Sequence, residues 1–145
     1  MGKRIITQRR GKGSFTYRAH SHRYKGYINH RTYDKETVKG KIKDLIHCPG
    51  HSAPLAKVVY ENGEKTLMPA PMGIRVNDEI YSGLKAQINV GNTMPLKEIP
   101  EGTFIYNIES SPGRSAYCRA AGSFARIISK LQDKVIIKLP SKKEK

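Results

Sequence analysis

From Val38 onward, apolar and polar positions alternate along most of the chain, and this period of two predicts strands rather than helices. Val38, Gly40 and Ile42 alternate with Lys39, Lys41 and Lys43, and the runs Leu55–Tyr60 and Glu64–Met68 flank Asn62-Gly63. Asn-Gly between two such runs predicts a hairpin with a type I′ turn, which needs positive φ at both central positions. Pro69 and Pro71 end that hairpin and Gly73 permits a turn. Ile74-Arg75-Val76 and Glu79-Ile80-Tyr81 then predict a further short strand around the Asn77-Asp78 bend. Four or five short strands in so short a span predict a closed or partly closed barrel of the OB type over residues 36–83. Its expected core is Val38, Ile42, Val58, Leu67, Val76 and Ile80.

The alternation resumes at Leu84, Ala86, Ile88 and Val90 until Gly91-Asn92 and Pro95 break it. Pro100-Glu101-Gly102 is a turn, because proline presets φ and glycine accepts a positive one. Phe104, Tyr106 and Ile108 alternate with Thr103, Ile105 and Asn107. Ser110-Ser111-Pro112-Gly113 then turns the chain into a loop expected to carry Arg114, Tyr117, Arg119 and Arg126. Strands are predicted at 103–109, 117–121, 124–131 and 134–139, the last two joined as a hairpin by Gln132-Asp133-Lys134. This second set, residues 84–145, reads as a small SH3-like barrel, although the pattern alone does not fix the barrel type. The fold class is all-β.

Residues 1–35 show no sustained period and few aliphatics, so they cannot bury enough surface to fold alone; an extended tail that orders on binding is expected. Charge makes that tail interesting. The 145-residue chain has 27 Lys and Arg against 12 Asp and Glu, a net charge of +15. Residues 1–35 carry ten cations against Asp34, and residues 111–145 carry nine against Asp133 and Glu144; the middle, 36–110, carries eight against nine carboxylates. A near-neutral body with two basic ends points to a polyanionic partner. In the tail, Lys3, Arg4, Arg9, Arg10, Lys12, Arg18, Arg23, Lys25 and Arg31 alternate with Phe15, Tyr17, Tyr24, Tyr27 and Tyr33. Phosphates pair with the first set and exposed bases stack on the second, while Gly11, Gly13 and Gly26 let the backbone approach RNA closely. The candidate RNA contacts are therefore these cations with Tyr17, His20, His22 and Tyr24, joined from the second unit by Arg114, Tyr117, Arg119 and Arg126. A solubilising or localisation tail is the competing reading, and the interleaved aromatics weigh against it.

Other chemistries find little support. His20-x-His22 and His47-Cys48-x-x-His51 lack a second ligand pair at finger spacing, and Pro49-Gly50 opposes placing the latter group on one helical turn. Cys48 and Cys118 suggest neither a disulfide framework nor, with a histidine, a catalytic pair. The carboxylates are scattered, so no enzyme is expected. No apolar run approaches the roughly 20 residues of a membrane span, the N-terminus lacks a signal-peptide core, and a cytoplasmic protein is expected. A free-standing OB-fold binder of single-stranded nucleic acid is the alternative function, but residues 36–83 are not basic and lack an obvious aromatic platform.

GNTMPLKEIPEGTFIYNIESSPG, followed by RAAGSFA, resembles the junction segment of large-subunit ribosomal protein two, the universal L-two family, in its archaeal and eukaryotic branch. The resemblance extends to GKRIITQRRGKGSFTYRAHSHRYKG, to HSAPLAKVVYENGEKTLMPAPMGI and to VIIKLPS, and so covers essentially the whole chain. It implies an OB-like barrel followed by an SH3-like barrel, with basic extensions threading into large-subunit rRNA. The implied partners are that rRNA and other large-subunit ribosomal proteins. No small-molecule substrate, membrane or cofactor is implied beyond Mg²⁺ carried by bound rRNA. The family continues past LPSKKEK with strands that finish the second barrel and a glycine-, histidine- and basic-rich extension toward the peptidyl-transferase region. The second barrel is therefore expected to lack its final strands, and no residue of that extension is carried over.

Overall fold

The computed structural model describes residues 2–32 and 36–145; Tyr33, Asp34 and the proposed tail boundary at residue 35 lie outside the described residues. The described residues form nine strands, each paired antiparallel to a neighbour. The first four, β1 (Val38–Ile46), β2 (Leu55–Tyr60), β3 (Lys65–Pro69) and β4 (Glu79–Ser82), form one sheet in the order β3-β2-β1-β4. In the second unit, β5 (Phe104–Ile105), β8 (Ala125–Lys130) and β9 (Val135–Lys138) form a three-stranded sheet in the order β5-β8-β9. Here β6 (Ile108–Ser111) pairs with β7 (Arg114–Tyr117). The architecture is all-β, an OB-like unit followed by an SH3-like one.

In the first unit, Ile42, Ala56, Val58, Tyr60, Met68 and Ile80 form the buried core, with Val38 and Ile74 packed against it. Gly40 in β1 is there for Tyr60: a Cβ at position 40 would stand 2.7 Å from the tyrosine ring. Two sequence expectations are corrected. Val76 is 45% exposed, because residues 74–78 turn rather than extend. Asn77 takes φ +76°, the Arg75 amide donates to Asp78 Oδ2 at 2.6 Å, and Ile74 fills the core position instead. Leu67 faces away from Met68 and joins a separate cluster with Ile28, Cys48 and Leu55.

The Asn62-Gly63 hairpin forms, but not through a type I′ turn. The Tyr60 amide donates to the Glu64 carbonyl and the Gly63 amide to the Tyr60 carbonyl, both at 2.9 Å, and Gly63 alone of the loop is left-handed, at φ +83°. This is the three-residue loop with a glycine bulge. Asn62 Oδ1 accepts from the Glu64 amide at 3.1 Å, a local bond that the asparagine makes without entering the left-handed region.

In the second unit, the core is Ile99, Ile105, Ile108, Ala125, Ile127 and Ile137. The alternating run at 84–90 is not a strand. Among the described residues no strand pairs with it, Ile88 and Val90 are exposed, and the backbone closes on itself through Asn89 N to Gln87 O (2.9 Å) and Asn92 N to Asn89 O (3.2 Å). The strand expected over 103–109 is broken by Asn107 at φ +49°, and the one expected at 117–121 lies earlier, ended by Cys118 at φ +54°.

The tail divides in two. Residues 2–24 hold a six-residue helix, α1 (Ile6–Gly11), and two short 3₁₀ turns, none with a buried residue. From Lys25 the chain docks on the first unit, which corrects the expectation that it stays extended to residue 35. The Lys25 amide donates to Cys48 Sγ at 3.4 Å and the Asn29 amide to the Leu67 carbonyl at 3.2 Å, while Ile28 is buried among Cys48, Leu55 and Leu67. Burial of this isoleucine against two strand residues and Cys48 of the β1–β2 loop, with those backbone bonds, holds the segment in place.

Candidate nucleic-acid interface

The structure sorts the sequence-predicted cations into three groups. Lys3, Arg4, Arg9, Arg10, Lys12, Arg18 and Arg23 all stand exposed on the segment that buries nothing. Among the described residues, the ion pair within 4 Å is Lys39 with Glu79, at 2.8 Å between β1 and β4. Among the described residues, the tail cations thus have no carboxylate at bonding distance. Arg9 and Arg10 sit in the last turn of α1, where the helix dipole favours positive charge. A helix of that length is marginal in water on its own. Tyr17 and Tyr24 are exposed beside these cations, and His20 and His22 meet edge to face at 5.8 Å.

Lys25 and Arg31 belong to the docked segment. Lys25 is exposed, but Arg31 is only 8% exposed: its Nη2 donates to the Glu36 carbonyl at 3.2 Å and its guanidinium lies 6.0 Å from the Tyr60 ring centroid. Burial raises the Tyr60 phenol above its ordinary pKa, partly offset by bonds to Thr66 and Ser82.

In the second unit the four predicted residues do not share one loop. Arg114 and Tyr117 lie on β7 and Arg126 on β8, leaving Arg119 in the loop between. Arg114 and Arg119 are exposed. The half-buried Tyr117 packs on the second core and is covered by Lys145, whose Nζ sits 4.6 Å from the ring centroid and donates to the phenol oxygen. Arg126 is exposed yet held, with Nε donating to the Gly102 carbonyl at 3.2 Å and its guanidinium 5.8 Å from the Phe104 ring.

A family model described as "Ribosomal Proteins L2, RNA binding N-terminal domain" matches residues 2–82, and its companion, "Ribosomal Proteins L2, C-terminal domain", matches residues 89–145. The chain belongs to the ribosomal protein L2 family. It is 49% identical to the large ribosomal subunit protein uL2 of Methanothermobacter thermautotrophicus, over 97% of this chain and 61% of that protein. It is 48% identical to the uL2 of Methanopyrus kandleri, over 99% and 61%, and 49% identical to that of Nanoarchaeum equitans, over 97% and 60%. The chain therefore spans about three fifths of the length of these relatives.

The gap between the two matched spans, residues 83–88, falls on the irregular segment after β4. Sequence reasoning missed His30 and Asn107, which meet across the two units, and the exposed pair Phe104 and Phe124. Neither has a local signal, because each is made by residues distant in sequence. His51 Nδ1 lies 3.2 Å from Cys48 Sγ, and among the described residues no three His, Cys, Asp or Glu are placed to hold a metal ion. Among the described residues no helix is long and apolar enough to cross a membrane. The first sheet offers Tyr81 as the exposed aromatic on its described strands, a thin basis for a single-strand platform.

Proposed function

We propose that this chain is a structural rRNA-binding component of the large ribosomal subunit, one that catalyses no reaction and takes no cofactor of its own. Its partners are large-subunit rRNA and neighbouring large-subunit proteins, and its place is the cytoplasmic ribosome. Any Mg²⁺ at this interface would be held by rRNA phosphates. The observation that carries the reading is the set of seven exposed cations on residues 2–24, with no carboxylate within 4 Å among the described residues, in a family whose N-terminal model is described as RNA binding. Such cations neutralise phosphates and release counterions, and arginine can also lie flat on a base. The β units serve as mounts: docking of Lys25–Thr32 anchors the segment that carries the exposed cations, and Arg114 and Arg119 present further charge from the second unit.

The test is removal of residues 1–23, of which residues 2–23 are all exposed, followed by measurement of binding to large-subunit rRNA over a salt series. Each phosphate contact contributes about 0.7–0.9 to the slope of log K against log salt, so losing seven should lower it by about 5–6. An unchanged slope overturns the reading.

A further inference from the structure

On the three-stranded sheet of the second unit, register places three outward side chains in one row: Phe104 on β5 opposite Arg126 on β8, and Arg126 opposite Lys138 on β9. Their neighbours Ile105, Ala125, Ile127 and Ile137 point the other way and form the core, so the row cannot turn inward without exposing that core. Phe104 is 64% exposed and Phe124 54%. The two rings meet edge to face at 5.0 Å and 75°. Arg126 is tethered to the Gly102 carbonyl and lies over the Phe104 ring. Phe104 is thus braced by a second ring and a guanidinium while most of it faces outward. Both rings also line a cleft of about 910 Å³ between the two units, which leaves room beside them.

We propose that Phe104 and Phe124 form a stacking site for an unpaired nucleobase of RNA, with the attached phosphates running toward Arg126 and Lys138. The inference rests on the rRNA-binding reading and supplies its second contact surface. Charge selects the occupant: an apolar protein side chain would have no use for two cations in line with the rings, whereas a nucleotide carries a flat π face and an anion at fixed separation. Strands lie about 4.8 Å apart, so Lys138 is about 10 Å along the row from Phe104, on the scale of one nucleotide. Glu144 pairs with Lys138 in an isolated bridge and bounds the row with a negative charge, so the backbone would enter from the Arg126 side. Stacking on an aromatic accepts any base, and the site reads single-strandedness rather than sequence.

The test uses the full chain with two probes, octaadenylate RNA and an RNA duplex of the same length, each titrated over a salt series. A Phe104→Leu/Phe124→Leu double variant keeps apolar bulk and removes the rings; Phe104→Tyr/Phe124→Tyr keeps them. The leucine pair should weaken octaadenylate binding about fivefold or more, the loss of one stacked base. Its salt slope should stay unchanged, duplex affinity should stay within about twofold, and the tyrosine pair should restore binding. Octaadenylate affinity indifferent to the leucine pair overturns the site and points to a protein occupant; so does an equal loss on duplex, or a reduced salt slope. If the double variant loses its far-ultraviolet dichroism, Phe124→Leu alone repeats the test. Failure of the parent reading looks different, as a salt slope that does not respond to removing residues 1–23.

Discussion

His30 Nε2 lies 2.5 Å from the main-chain carbonyl oxygen of Asn107, 77 residues later in the chain. The carbonyl only accepts, so this bond forms in the tautomer with the proton on Nε2, whereas in the other tautomer Asn107 Nδ2, 3.2 Å from the same nitrogen, donates to it; either bond ties the docked tail segment to the break between β5 and β6. Asn107 is buried there at φ +49°. His30→Ala should cost about 1–2 kcal/mol in urea unfolding, since it strands a buried acceptor. Limited proteolysis offers a second readout. In the parent chain, cleavage should stop near Arg23, where docking begins; in the variant it should advance toward Thr32.

Gly83 and Gly113 both have positive φ, +147° and +78°, but only the first is enclosed. A Cβ at position 83 would lie 2.5 Å from Thr37 Cα and 2.7 Å from the Glu36 carbonyl oxygen, whereas one at 113 would meet nothing within 4 Å. Backbone cannot swing aside as a side chain can. Gly83→Ala should therefore cost about 3 kcal/mol or more, from overpacking and strain together, and Gly113→Ala about 1 kcal/mol from φ alone. Equal losses in chemical unfolding would contradict this assignment of cause.

Tyr106 reaches from the second unit into the core of the first, and among the described residues its buried hydroxyl has no hydrogen-bond partner. Burial pushes its pKa well above the usual tyrosine value, with a smaller contribution from Tyr60. Below about pH 10 both folded and unfolded chains keep these phenols protonated, and the stability they contribute is complete. As pH rises past 10 the unfolded chain ionises first, so stability should fall toward the raised folded values. Tyr106→Phe should lessen that fall by about 1.4 kcal/mol per pH unit. At neutral pH the same substitution should be neutral or stabilising by about 1 kcal/mol, because it removes an unpaired buried hydroxyl. Urea unfolding at several pH values between 8 and 11 checks both signs.

What the residues disclosed in advance follows from how local each cause is. Ile42, Val58 and Ile80 were legible because a strand's own alternation decides which face they take, and Asn62-Gly63 announced a hairpin because the constraint lies within the turn. The run Leu84–Val90 alternates equally well, yet a strand needs a partner to bond, and none arrives. Ile28 is nearly alone among polar and aromatic neighbours, so nothing nearby reveals that Cys48, Leu55 and Leu67 will receive it. The Phe104 site escaped notice for the same reason: β5 finds Arg126 and Phe124 only after two intervening strands. The exposed cations of the first 24 residues were plain from composition, since charge with no apolar period has nowhere to be buried.

Arg31 is where composition and structure part most clearly. By sequence it is one more cation of the RNA-facing tail; in the fold it lies against Tyr60 and donates to Glu36, with Nε buried and, among the described residues, without a partner. Truncating it should cost the body of the protein, not the interface. Arg31→Ala should lower unfolding stability by about 2–4 kcal/mol, from lost packing of the stem, the Tyr60 contact and the carbonyl left without its donor. Its slope of log K against log salt for large-subunit rRNA should match that of the parent chain. Arg9→Ala is the contrasting case: exposed on α1, it should leave stability within about 0.5 kcal/mol and lower the salt slope by about 0.7–0.9. A reduced slope for Arg31→Ala with stability intact would return that arginine to the set that meets phosphate.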